Sequence, residues 1–178
     1  MNTRIFARCL CAVAAVVMGN TAFGQAPTQQ FTVVVDSVLT LTAPADLSIT
    51  HDTTDANQTF GLANWGVLSN HGTGATVDFT TTQVFQNGTF ERDLEMTVSV
   101  VTTDNDISSN PVWSVNPTLT TYASDYNANN RTGHVQATSS SPGNATLGLQ
   151  MVFVDNDYSL LPSGNYTVTV TGTISGNP

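Results

Sequence analysis

Two Asp-Asn-Asp clusters, Asp104-Asn105-Asp106 and Asp155-Asn156-Asp157, are the densest groupings of reactive side chains in the chain. Each sets two carboxylates and an amide at the end of an apolar run, an oxygen-rich arrangement that suits calcium. Asp52, Asp55 and Asn57 form a third group of this kind. Neither Asp-Asn-Asp cluster continues into the glycine and distal glutamate of an EF-hand loop, and Asp and Asn are also common turn formers. Asp104, Asp106, Asp155 and Asp157 are therefore candidate calcium ligands and turn residues at once. No cofactor is required, and Ca2+ is the one the sequence leaves open.

Other chemistry is thinner. His51, His71 and His134 lie in unrelated segments without a G-x-S-x-G elbow, an H-x-H pair or an H-E-x-x-H helix, so neither a nucleophile with its base nor a zinc site emerges from spacing. A non-enzymatic protein is expected. Trp65 and Trp113 stand beside Val67 and Val112, as core anchors do. Tyr126 and Tyr158 fall in or beside loops and are candidate glycan contacts.

The elements that must carry these residues are strands. Phe31, Val33, Val35, Ser37, Leu39 and Leu41 alternate with polar or smaller residues and end before Pro44, a period-two pattern. Leu94 to Val100, Ala145 to Phe153 and Tyr166 to Ile174 repeat it. In the last run Thr167, Thr169, Thr171 and Thr173 form the wettable face, and threonine satisfies strand propensity without adding an apolar patch. Weaker strands are expected at Leu47–Thr50, Thr76–Phe85, Val112–Val115 and His134–Thr138. Asn87-Gly88 between apolar flanks predicts a hairpin, and Asp125 to Arg131 predicts a polar loop. No segment shows a helical period. About eight or nine strands of this kind make an all-β fold, an antiparallel Ig-like β-sandwich that an N-terminal strand could complete.

Composition narrows the partners. The 178 residues carry 13 Asp and Glu against 4 Arg, no Lys, and a net charge of -9. Arg4, Arg8 and the apolar Leu10–Met18 run ahead of Ala22-Phe23-Gly24 have the order of a secretory signal. Residues 1–24 are read as that leader and 25–178 as one secreted or cell-surface domain. So acidic a chain has no basic patch for nucleic acid or anionic lipid, and no later apolar run reaches the roughly 20 residues of a membrane span. Both cysteines, Cys9 and Cys11, fall in the leader, so stability has to come from packing and backbone pairing.

The N-terminal stretch FTVVVDSVLTLTAPADLSI and the C-terminal stretch LPSGNYTVTVTGTIS resemble bacterial chaperone-usher fimbrial subunits of the cysteine-free colonisation-factor type. That resemblance implies an incomplete Ig-like fold, capture by a periplasmic chaperone, and donor-strand exchange into a surface fibre. It makes Phe31, Val33 and Val35 the plugs of a neighbour's groove. The expectation is a structural surface-assembly subunit that adds strands to itself or to other surface subunits, with Phe31, Val33, Val35, Leu39 and Leu41 as the assembly strand. The alternative is a calcium-supported carbohydrate-binding or adhesive module.

Overall fold

The computed structural model describes residues 28–104 and 112–178. The expected leader, its two cysteines and Asp106 lie outside the described residues, as does the side chain of Asp104. The chain divides into two compact units, Met1–Val34 and Val35–Pro178. Of the first, residues 28–34 are described, and they are exposed and without strand structure.

The second unit is an all-β antiparallel sandwich. Its strands are β1 (Leu39–Thr42), β2 (Gln58–Thr59), β3 (Ala63–Ser69), β4 (Ala75–Thr81), β5 (Phe85–Asn87) and β6 (Phe90–Arg92). After them come β7 (Leu94–Asp104), β8 (Trp113–Val115), β9 (Thr121–Ala123), β10 (His134–Ser139), β11 (Gly143–Phe153) and β12 (Val170–Gly176). One sheet runs β1-β3-β11-β7-β9, with β2 also on β11, and the other runs β12-β4-β10-β8. β5 and β6 form a separate hairpin. Its turn is the expected Asn87-Gly88, where Gly88 takes φ +62°, a conformation that costs glycine little. Among the described residues no helix is long and apolar enough to cross a membrane.

Alternation decides which side chains meet between the sheets, because successive residues of a strand point to opposite faces. Val67, Leu147, Leu149, Met96 and Val98 enter from the first sheet and Ala75, Val77, Phe79, Val135 and Ala137 from the second, all buried. Trp113 is buried as expected, and its Nε1 donates to the Gly143 carbonyl at 3.1 Å. Trp65 is only half-buried, and its Nε1 has no partner. At about 1.5–3 kcal/mol per fully buried large apolar side chain, such a core stabilises the fold without a covalent staple.

Several boundaries differ from the periodicity. The run expected to be one strand from Phe31 to Leu41 is strand only over Leu39–Thr42, where β3 supplies partners in the register Leu39↔Ser69 to Thr42↔Gly66. Over residues 28–38 and across Leu47–Thr50 no strand is assigned. Alternation prepares a segment for a sheet, but a ladder needs an adjacent edge. The last strand likewise begins at Val170 rather than Tyr166, because β4 ends at Thr81, its partner. Upstream, Thr167 alone bridges to Gln86. β2, β3 and β9 lie outside the expected segments. The twelve strands among the described residues exceed eight or nine because several have only two or three residues.

The C-terminus is fastened at the end of β12. Asn177 donates from Nδ2 to the carbonyls of Ser139 at 2.7 Å and Thr73 at 3.2 Å, and its Oδ1 accepts from Thr76 at 2.8 Å.

Candidate functional site

At one edge of the sandwich its two sheets meet along a seam. β1 ends the first sheet and β12 ends the second. At the level of Leu41 the seam is closed by close approach, since a Cβ on Gly172 would stand 2.8 Å from both Leu41 and Trp65. Below that level β1 stops pairing. β3 continues down through Trp65 to Ala63 with β11 on one side and, among the described residues, no strand on the other. Across the seam, β12 likewise pairs on one edge with β4 and presents the other edge unpaired.

A groove of about 450 Å³ opens there, bounded by Ala43–Leu47 on one side and Tyr166–Val170 on the other. Trp65, Leu149, Met151, Phe60 and Phe85 also line it, and Asp46 is its single charged residue. Leu41 approaches Gly172, residues 43–47 share this groove with 166–170, and Ile49 and His51 share the next hollow with 161–166, so the two walls run in opposite directions. Farther down, a second cleft of about 280 Å³ lies between Ile49 and His51 on one side and Leu161 to Tyr166 on the other. Phe60, Phe153 and Tyr158 complete its aromatic lining.

Behind that cleft sits a buried charge cluster joining residues 51, 92 and 155. The Asp155 side chain is wholly buried, with Arg92 Nε at 3.8 Å from Oδ1 and His51 Nε2 at 3.2 Å from Oδ2. The His51 approach is misaligned, and neither Nε2 nor Oδ2 makes a hydrogen bond. Asp155 Oδ1 also accepts from the Asp157 N–H at 3.2 Å. His51 Nδ1 accepts from the Thr53 N–H at 3.0 Å, which places any proton of the neutral ring on Nε2, facing Asp155. Thr53 itself has φ +65°, a left-handed conformation that is costly for a β-branched residue. His51 stacks on Tyr158, centroids 5.1 Å apart and planes 21° from parallel.

The two oxygen-rich loops do converge. Asn57 Oδ1 accepts from the Asp155 N–H at 3.2 Å, and Asp55 Oδ1 accepts from the Tyr158 N–H at 2.8 Å. Asp52 and Asp157 instead serve the turns around them. Asp52 accepts from the Thr54 hydroxyl and N–H and from Gln58, and these bonds, the Thr54 hydroxyl first, hold its carboxyl below the ordinary aspartate value. Asp157 caps the short turn Tyr158–Leu160. Among the described residues no group of three or more His, Cys, Asp or Glu is placed to hold a metal ion.

The other named residues are dispersed. Phe31, Val33 and Val35 are 84%, 86% and 77% exposed. Leu39 and Leu41 pack on the core of their own sandwich through β1, which divides the expected assembly strand in two. Tyr158 borders the lower cleft, whereas Tyr126 sits in the Asp125–Asn130 turn with its N–H on Asp93. His134 pairs with Asp78 at 2.6 Å on the outer face of the second sheet. Sequence reasoning missed His51 and Arg92 as partners of Asp155, and it missed the groove walls. No family model, curated protein or solved structure matches the chain.

Proposed function

We propose that this protein is a structural, non-enzymatic surface-assembly subunit, exported and then polymerised by strand addition, with Phe31, Val33 and Val35 as the donated side chains. The observation that carries the reading is the presence in one chain of an exposed, uncharged, alternating run and of an apolar groove beside the unpaired lower edge of β3. Burial of those three side chains supplies roughly 5 to 9 kcal/mol at about 1.5–3 kcal/mol each. Association costs about 4–15 kcal/mol in lost freedom, so side chains alone give weak binding. The unpaired edge of β3 matters for that reason: an incoming strand adds backbone hydrogen bonds to the apolar contribution. Donor and acceptor are different segments of the chain, so the contact is head-to-tail and builds open filaments rather than closed dimers.

The test is deletion of residues 31–35 from the full chain, followed by light scattering and negative-stain imaging. Filaments or ladders formed by the parent and lost in the deletion are the expected outcome. Filaments formed equally by both chains would refute the reading.

The aromatic lining of the lower cleft favours one other reading, a carbohydrate-binding or adhesive module with Tyr158 as the stacking residue. Tyr158→Ala would then abolish retention on an immobilised glycan while leaving assembly intact.

A further inference from the structure

Rings line both hollows of the seam, and what sets the lower cleft apart is the charge around it. Its wall holds five rings, His51, Phe60, Phe153, Tyr158 and Tyr166, and no carboxylate. Just outside that wall stand four aspartates. Asp155 lies 3.2 Å from His51 Nε2 and Asp52 lies 3.9 Å from Nδ1. Asp55 accepts the Tyr158 N–H at 2.8 Å, and Asp157 caps the turn that Tyr158 begins. Among the described residues Arg92 is the one positive side chain in contact with them. Its 3.8 Å approach leaves Oδ2 of the wholly buried Asp155 without a hydrogen bond. His51 adds no charge in this arrangement, because its Nδ1 accepts from the Thr53 N–H at 3.0 Å and an imidazolium has no lone pair to accept with. The groove above it has Asp46 as its single charged residue.

A wall of rings with uncompensated negative charge behind it suits an organic cation, since the faces of the rings are themselves electronegative. The rings meet as the sides of a box rather than as a flat stack: Phe153 stands at 84° to His51 and 71° to Tyr166. Tyr158, stacked on His51, is still 39% exposed, which leaves ring surface open to the cleft. We infer that the lower cleft binds a small organic cation of the trimethylammonium type, free in solution, with Tyr158 as its principal contact. The inference does not depend on assembly, which engages the groove above.

Other cations fit less well. A metal ion needs oxygen ligands, and the lining supplies no carboxylate. A primary ammonium brings three donors to a rim whose carbonyls are engaged, Pro162 by the Tyr166 hydroxyl at 3.2 Å and Ser163 by Asn87 Nδ2 at 3.3 Å. A quaternary ammonium has no N–H to satisfy, and its charge is felt by the rings and by the aspartates behind them. At about 280 Å³ the cleft is at the lower limit of ligand pockets, roughly 300 Å³, so it admits a small molecule rather than a length of chain.

The test is isothermal titration calorimetry of the full chain with choline and with dimethylbutanol, its isostere with carbon in place of the charged nitrogen. Choline should bind about tenfold more tightly than the isostere, and less tightly as salt is raised. Tyr158→Leu should lower choline affinity about tenfold, while Tyr158→Phe, which keeps the ring, should stay within about threefold of the parent. Asp55→Asn keeps the acceptor for the Tyr158 N–H and removes one charge, and should lower affinity about two- to threefold at low salt. Asp46→Asn, in the groove above, should not. The comparison of the two ligands on the parent needs no variant, so it decides the matter even where Tyr158→Leu does not fold. Equal affinity for choline and the isostere, or choline binding undiminished in Tyr158→Leu, overturns the inference. A loss in Asp46→Asn as large as that in Tyr158→Leu places the cation in the groove above and overturns it too. So does the absence of saturable binding at about 10 mM choline, including in a chain that is retained on phosphatidylcholine vesicles or on a neutral glycan.

Discussion

Replacing Asp155 with alanine should be among the most damaging single changes in the molecule. The carboxylate is wholly buried, and it compensates Arg92 at 3.8 Å, faces His51 at 3.2 Å and accepts the Asp157 N–H at 3.2 Å. Removing one partner of a buried ion pair costs about 3–5 kcal/mol, because the other charge is left without compensation. Arg92 retains the carbonyls of Glu91 at 2.8 Å and Leu160 at 3.0 Å and is 16% exposed, which sets the expectation at the low end, about 3 kcal/mol. For a chain of this length that corresponds to a fall in Tm of about 6–12 °C. Asp155→Asn keeps the shape and the acceptor for Asp157 but loses the charge, so its loss should be about 1–2 kcal/mol smaller. Combined with Arg92→Met, the alanine change should cost less than the sum of the two single changes, since no charge is then stranded. Thermal and urea unfolding of the parent and these four variants measure all of this. Alanine and asparagine variants both within about 0.5 kcal/mol of the parent would refute the argument, because that is the range of an ordinary surface substitution.

Two further outcomes follow from the geometry. Glu91 accepts from Arg131 Nε at 3.1 and 3.2 Å and from Nη2 at 3.0 Å, and those bonds hold its carboxyl below the ordinary value of 4.5. A depressed folded-state value means stabilisation that is present above the unfolded value and is lost as pH falls through the folded one. The difference in Tm between parent and Glu91→Gln should therefore persist at neutral pH and close below pH 4.5, and a pH-independent difference would contradict this. Gly172→Ala should destabilise by about 1–3 kcal/mol through overpacking, since the new methyl would lie 2.8 Å from Leu41 and Trp65. A calorimetric Tm equal to the parent's would show that the seam yields freely.

The strands were legible in the sequence wherever alternation coincided with a partner edge. β7, β10 and β11 could be read from Leu94, Val135 and Leu147 outward, and the β5–β6 hairpin from Asn87-Gly88, because pattern and turn chemistry there agree with the fold. β3 was missed because Ala63-Asn64-Trp65-Gly66 mixes small and polar residues on both faces, and its place between β1 and β11 is decided by neighbours distant in the chain. Leu47 and Ile49 alternate as a strand would, yet they border the groove without pairing. The cluster at Asp155 is the hardest case. Its three members, residues 51, 92 and 155, stand 41 and 63 positions apart in the chain, and only topology brings them together. Asp155 reads as a turn former because Asp-Asn-Asp is turn chemistry, and nothing in a single sequence distinguishes the buried carboxylate from the exposed Asp157 beside it.

The position of β11 has a consequence for how the chain folds as it is made. β11 is the central partner of the first sheet, holding β3 and β2 on one side and β7 on the other, yet it is the penultimate strand in the sequence. Until residue 153 has been synthesised, β3 and β7 lack the neighbour that joins them, and their apolar faces have no sheet to complete. Formation of this domain is therefore late and strongly non-local, in the millisecond-to-second class of all-β sandwiches rather than the faster class of helical bundles. During that interval the nascent chain is a set of sticky edges, and the same property that would let one finished copy join another makes the unfinished copy the species most prone to aggregate.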